Sequence, residues 1–221
     1  MSETLFVQLL DLACGGLLLT AVLVLWRREL AVIIRMFALQ GVVLAVLVAV
    51  LAARERSGES WAVAAGVLVL RAGVLPYLLR RALASAGETR RETRPLVNVS
   101  ASLLAAAVLT LLAYAVSRPL VELAPSAVTA AIPVGMTVVL IGFFVLVTRR
   151  RALSQLVGFL LMDNGITAVG FLTEASPVGL IVELGVSLDV LLAVLVLQIL
   201  TTRMRETFGD TDLDELRELH D

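Results

Sequence analysis

The sequence is dominated by uninterrupted apolar runs about as long as a lipid bilayer is thick, most of them ending at a cluster of arginines. A helix needs about 20 predominantly apolar residues to cross the hydrocarbon. Seven such runs fit into the 221 residues, near 5–26, 30–53, 61–79, 97–117, 127–148, 152–173 and 178–201. With 59% hydrophobic and 17% charged residues, the apolar surplus exceeds what one soluble core can bury. The predicted fold class is therefore an all-α integral membrane protein of about seven transmembrane helices. Only short loops and a C-terminal tail remain, which leaves no soluble catalytic domain and nothing that reads as an enzyme by itself.

The arginines also set the orientation. Arg27, Arg28 and Arg35 follow the first run, Arg80, Arg81, Arg90, Arg91 and Arg94 the third, Arg149, Arg150 and Arg151 the fifth, and Arg203, Arg205 and Arg217 the seventh. Fourteen arginines thus fall on one side, against Arg54, Arg56 and Arg118 on the other. By the positive-inside rule the N-terminus is expected outside and the C-terminus in the cytoplasm. The first run lacks a basic segment before it, so it is expected to stay as a helix rather than be cleaved as a signal peptide. A chain without an Arg-rich presequence, and with arginine as its only basic residue besides His220, points to a bacterial cytoplasmic membrane.

Residue types that are scarce exclude several chemistries. One cysteine, Cys14, cannot build an internal disulfide, a Cys-ligated zinc site or an iron-sulfur cluster. One histidine, His220, sits next to the C-terminus and cannot supply paired haem ligands inside a bundle. Without any lysine no Schiff base can form, which excludes a retinal protein despite the count of seven helices. No cofactor or metal is expected in this chain.

An internal repeat organises the runs. Arg27-Arg28-Glu29-Leu30 through Gln40-Gly41 lies 123 residues before Arg150-Arg151-Ala152-Leu153 through Asp163-Asn164, both being a helix end, a two-Arg turn and a new helix. Three spans, a basic segment, one further span and three spans again give two parallel three-helix units, because an odd-numbered unit needs a linking helix to restore its starting orientation. The expected divisions are 1–81 for the first unit, 82–126 for the basic segment and linking helix, 127–205 for the second unit and 206–221 for an acidic tail. Coincidence among Leu/Ala/Val-rich helices is the competing account. In the tail, Leu213, Leu216 and Leu219 recur every third residue behind a capping Thr211 or Asp212, a narrow stripe suited to a cytoplasmic partner or to a solvated tail.

Four ionisable residues fall well inside predicted spans: Arg71, Asp163, Glu183 and Asp189, with Asp11 a shallower fifth. Each costs about 2.5 to 3.5 kcal/mol at the bilayer centre on the insertion scale, so they must face protein, water or one another. Asp163 and Asp189 both fall near mid-membrane, and Glu183 about 9 Å nearer the outer surface. Glu183 and Asp189 are about 120° apart around their helix and can serve different neighbours. Carboxylates alternating with an arginine at one depth are the minimum equipment of a proton relay, since desolvation raises a carboxyl's proton affinity and a nearby cation lowers it. The alternative is that Arg71 pairs with Asp163 or Asp189 only to neutralise both. Cys14, Gly15 and Gly16 read as helix-packing positions. Pro76, three residues after Gly73, reads as a kink in the third span, with simple packing as the plainer account. Pro133 and Pro177 read as helix starts.

Three segments carry a family resemblance: Gly158-Phe159-Leu160-Leu161-Met162-Asp163-Asn164-Gly165-Ile166, Val182-Glu183-Leu184-Gly185-Val186-Ser187-Leu188-Asp189-Val190, and Arg203 to Leu216. Together they resemble component E, a membrane protein of hydrogenase-4 and formate hydrogenlyase type complexes. The last three spans also look like the small three-helix proteins of two other assemblies, the K subunit of respiratory complex I and the C subunit of multisubunit cation/proton antiporters. Asp163 and Asp189 fall near the second- and third-span acids of those proteins. The resemblance implies a non-catalytic subunit of a complex I-like assembly of the group 4 nickel-iron hydrogenase type. There it would pack between a quinone-site-like subunit and antiporter-like subunits, beneath a peripheral hydrogenase-like arm. Asp163, Asp189, Glu183 and Arg71 would then contribute to proton or sodium translocation. One departure stands out: the family usually has Glu at position 163, and Asp is one methylene shorter, which changes its reach to a partner or bridging water. Arg71 matches a basic residue, usually Lys, that the family places in its third helix. In the first unit Gln40 occupies the place aligned with Asp163, so that half would lack the corresponding proton carrier. A stand-alone secondary transporter and a purely structural subunit remain the alternatives. A multispan lipid-modifying enzyme is more remote, because the loops offer no clustered carboxylates.

Overall fold

The structure is a computed structural model that describes residues 2–55, 58–85 and 97–173, together with residues 194 and 198. The described residues are helical, with no strand among them. In chain order they form α1 (Glu3–Trp26), α2 (Leu30–Glu55), α3 (Gly58–Val67), a π-helical turn (Leu68–Val74), α4 (Leu75–Ser85), α5 (Val99–Leu123), a 3-10 turn (Thr129–Ala131), α6 (Ile132–Thr148) and α7 (Ala152–Leu172). Six helical stretches are long and apolar enough to cross a membrane, the third of them running without a break from Gly58 to Arg81. The chain is a multi-pass membrane protein. The seventh expected span, apart from residues 194 and 198, and the acidic tail, and with them Glu183 and Asp189, lie outside the described residues.

Four helices make the centre. α1 pairs with α2 and α6 with α7, α1 packs on α6 and α2 on α7, so two antiparallel hairpins lie against each other. The third span leans on α2, and α5 leans on α6 and α1. Each hairpin is closed by the same turn. Arg27 ends α1 with φ −84° and ψ 144° and donates its N–H to Leu23 O; Arg149 ends α6 with φ −87° and ψ 141° and donates to Val145 O. These two caps are 122 residues apart, one fewer than the spacing that aligns the Arg-Arg pairs in the sequence. The slip has a physical reason: the leaving direction of a helix end is set by which residue turns extended, not by which residues carry charge. Carried along the following helices, this register makes Met162 the counterpart of Gln40, and Asp163 the counterpart of Gly41.

Arg149, expected at the aqueous boundary with Arg150 and Arg151, is buried instead. Its Nη2 donates to Leu25 O at 3.2 Å and to Arg27 O at 3.1 Å, so it satisfies the open carbonyls at the end of α1. One hairpin thereby clamps the other through a charged hydrogen bond. Arg27, its positional counterpart, lies over the Trp26 ring, 4.7 Å from the centroid.

The tightest packing is between α6 and α7, where glycines recur at seven-residue spacing on both helices. Gly135 and Gly142 face α7, while Gly158 and Gly165 face α6. A Cβ at Gly158 would stand 2.6 Å from Leu146 N, and one at Gly135 2.8 Å from Val169 Cγ2. Removing side chains at these crossings lets the backbones touch, which is how membrane helices associate when lipid offers no hydrophobic drive. Of the two glycines in α1, Gly16 meets Val43 at 3.0 Å as expected, whereas Gly15 faces open space. Cys14 is buried in the packing.

Two further expectations shift. The fourth span continues past Arg118 through Pro119 to Leu123, with Arg118 donating to Glu122 one turn on at 2.8 Å. Its buried positions, Ser102, Ala106, Ala113 and Ser117, are small and share one face, which brings α5 close to the bundle. Ahead of Pro76 in the third span lies the widened π turn, in which the N–H of Leu75 reaches back to Leu70 O. A π turn holds one residue more than a regular turn and so resets which side chains face inward on either side of it. Pro133 stands at the start of α6, as expected.

Gly158→Ala should lower the thermal stability of the detergent-solubilised protein by about 1 to 3 kcal/mol, the usual cost of forcing volume into a closed contact. Gly170→Ala, at a site with nothing within 4 Å, should leave it unchanged or slightly raised. Thermal unfolding of both variants side by side checks the α6–α7 contact.

Candidate functional site

A buried polar cluster sits where the third span, α2 and α7 meet. Arg71 lies in the middle of the π turn and is 1% exposed. Its Nη1 contacts Asp163 Oδ2 at 2.7 Å and also donates to Asn164 Oδ1, while Nη2 donates to Thr167 Oγ1 at 2.8 Å. Asp163, Asn164 and Thr167 can all reach one guanidinium because residues three and four apart share a face of a helix. The fork of the guanidinium, with several donors in one plane, suits this group of oxygens in a way an ammonium does not.

The cluster extends beyond the ion pair. Asn164 Nδ2 donates to Gln40 Oε1 at 2.9 Å, and Gln40 Nε2 makes a long contact of 3.5 Å to Leu17 O on α1. With its oxygen occupied by Arg71, Asn164 has only its amide hydrogens to offer Gln40, so the orientations of the two amides are fixed by the network. Gln40 and Asn164 are fully buried. One chain of polar contacts thus runs from the third span through α7 to α2 and α1.

Gly41, next to Gln40, explains how Arg71 comes so close. A Cβ there would stand 2.6 Å from Arg71 C, 2.7 Å from Arg71 O and 2.9 Å from Ala72 N, all backbone atoms that cannot swing aside. The π turn therefore lies directly on α2 at its one position without a side chain. In the sequence the signal is a polar residue followed by glycine inside an apolar helix, which occurs as Gln40-Gly41 and again as Asn164-Gly165.

Depth is consistent across the helices. Asp163 is about 16 Å along α7 from its start, near the middle of a helix of 21 residues. Arg71 is near the middle of the 24-residue stretch Gly58–Arg81, and Gln40 is within a turn of the middle of α2. Among the described residues there is no group of three His, Cys, Asp or Glu side chains that could hold a metal ion.

Of the expected site residues, the structure brings Arg71 and Asp163 together, which is one of the two pairings the sequence leaves open. Asp189 and Glu183 lie outside the described residues. Asp11 is on the outer surface of α1, away from the cluster. Asn164 was visible only as part of a motif, and Gln40 only as a position without a carboxylate; both are members of the network. Thr167 had no signal of its own apart from spacing, and Gly41 only its place directly after Gln40.

Arg71→Leu alone should destabilise the chain by about 3 to 5 kcal/mol, since it leaves the Asp163 carboxylate buried without its cation. Arg71→Leu combined with Asp163→Leu should recover most of that loss, because replacing both members with apolar groups removes two desolvation penalties at once. Unfolding of the two variants and of wild type in one detergent measures the coupling.

Among known proteins, the chain is 50% identical over 221 residues, the full length of both, to the "Uncharacterized protein Rv0085" of Mycobacterium tuberculosis. It is 25% identical over 206 residues to Hydrogenase-4 component E of Escherichia coli, covering 93% of this chain and 94% of that protein. The protein of the same name from Shigella flexneri matches to the same extent. No family model matches the chain, and no solved structure matches it. The similarity to component E is distant, but it runs through nearly the whole length of both chains. With half its residues shared from end to end, the chain belongs to the same family as Rv0085 of Mycobacterium tuberculosis.

Proposed function

We propose that this protein is a non-catalytic membrane-arm subunit of a complex I-like respiratory or hydrogenase assembly, in which Arg71 and Asp163 contribute to redox-coupled translocation of protons or sodium ions. The observation that carries the reading is the buried Arg71–Asp163 pair at mid-membrane, held by Asn164, Thr167 and Gln40. Charges at this depth are costly, and those that persist in membrane spans mark ion pathways and proton relays. The distant similarity to Hydrogenase-4 component E supports the same assembly type.

In this reading the pair is a switchable element. A proton arriving at Asp163 neutralises its carboxylate and loosens its hold on Arg71. The freed guanidinium charge then favours ionisation of another carboxyl group, for which Asp189 and Glu183 are the candidates in this chain. Asn164 and Thr167 keep Arg71 hydrogen-bonded while its partner is neutral, so the network does not collapse when the charge moves. Gln40 supplies a hydrogen-bonding end on α2 that carries no charge. The chain holds no cofactor in this reading, and the electron chemistry belongs to a peripheral hydrogenase-like arm. Its membrane neighbours are antiporter-like and quinone-site-like subunits, and it lies in a bacterial inner membrane with the N-terminus outside and the C-terminus in the cytoplasm.

The test has two stages. Mild-detergent purification of the tagged chain from native membranes, with mass spectrometry of stoichiometric partners, should recover other membrane subunits and a redox arm. Asp163→Asn and Asp189→Asn introduced into that assembly should leave its composition and electron transfer intact while reducing ion pumping at least tenfold, read as a pH or sodium gradient across inverted vesicles. Asp163→Glu should retain pumping. Unchanged pumping in both Asn variants reduces the pair to a structural one, and recovery of the chain alone makes a stand-alone transporter the better reading.

A further inference from the structure

Among the described residues, the Arg71 network and the Arg149 clamp account for the buried charges but leave the membrane-depth charge of Asp11 unused. Asp11 lies eight residues into α1, about 12 Å from its start and about 5 Å from its midpoint. It is exposed on the outer face of the helix, and among the described residues it makes no hydrogen bond or ion pair. Thr4, Gln8 and Gly15 are exposed on the same face, since positions 4, 8, 11 and 15 fall within about 60° of one another on a regular helix. Leu12, 72% exposed, and Leu19, 59% exposed, border this polar stripe.

From these observations we infer that this face of α1 docks a transmembrane helix of another subunit, one that brings an arginine or lysine to the depth of Asp11. A carboxylate facing hydrocarbon opposes insertion and persists only against protein or water. Gly15 gives the partner a place to come close, because nothing lies within 4 Å of the Cβ it lacks. Small residues beside polar ones are the usual surface of a helix contact within membranes.

Charge decides between occupants. A second copy related by a two-fold axis through this face would set Asp11 against its own equivalent. The remaining apolar stretch of this chain, residues 174–201, contributes Glu174, Glu183 and Asp189 and no basic residue, so it brings no cation either. Nearby basic groups among the described residues are committed: Arg54 bridges to Glu3 at 2.9 Å near the helix end, with its guanidinium 4.3 Å from the Phe6 centroid, and Arg71 is held by Asp163. A basic residue on a different chain fits what the face lacks. The inference rests on the reading of this protein as one subunit of an assembly, and adds which surface is used and the chemistry of the neighbour.

The experiment places a benzophenone amino acid at Leu12 in the full chain in native membranes, with irradiation before purification. The expected result is an adduct with another subunit, in which the cross-linked peptide is an apolar segment carrying an arginine or lysine. Asp11→Leu should then deplete that subunit from the purified assembly at least tenfold, with the thermal stability of the isolated chain unchanged, and Asp11→Glu should restore it. Asp11→Arg combined with an acidic replacement of the partner's basic residue should restore association that each change alone removes. Adducts with lipid or a second copy only, a cross-linked peptide without a basic residue, or full retention of the partner by Asp11→Leu each overturn the inference. If other subunits co-purify but Leu12 reaches only lipid, this inference fails and the subunit reading stands; a chain recovered alone overturns both.

Discussion

A guanidinium in the middle of a bilayer has to be surrounded by acceptors, and Arg71 obtains them from a single face of α7. Asp163, Asn164 and Thr167 approach it together only if α7 lies with that face toward the third span, and only if the third span carries Arg71 inward at the matching depth. The π turn and Gly41 meet the second condition: the widened turn lies on α2 where no side chain stands in the way. Asn164 then passes the constraint to Gln40, and so to the first hairpin. The relative placement of three membrane spans follows from satisfying one cation.

The rest of the packing serves to hold that geometry. Hydrocarbon solvent gives apolar side chains no reason to prefer each other over lipid, so position comes from close backbone contact and from hydrogen bonds. Gly135, Gly142, Gly158 and Gly165 lock α6 against α7, which fixes the face that α7 offers to Arg71. Arg149 ties the end of α6 to the end of α1, linking the two hairpins on the side of their turns. A buried ion pair is weak evidence of stability by itself, but one held by three further polar side chains has a defined orientation, which a site that moves charge requires.

Much of the fold was readable from the order of residues. Six of the seven expected spans correspond to helices in the structure, because a run of about 20 apolar residues in lipid has no other way to satisfy its backbone. Arg71 and Asp163 were identifiable as members of a site for the same reason: a charge inside such a run has to be answered. Their pairing was not readable, since Asp163 and Asp189 fall at similar depth and depth alone does not choose between them. Arg149 was read as one of three boundary arginines because nothing distinguishes it in sequence from Arg150 and Arg151; only the approach of α1 does.

The sequence by itself determined that this chain lies in a membrane as a bundle of helices, and which of its residues are too costly to leave unpartnered, because both follow from the local transfer cost of each side chain. The tertiary structure decided the partners. It set the turn register at 122 residues rather than 123, placed Gly41 under Arg71 and Gln40 against Asn164, and left Asp11 facing outward. Those outcomes depend on which helix faces meet, and that is set by backbone contacts between segments far apart in the chain, which no local pattern encodes.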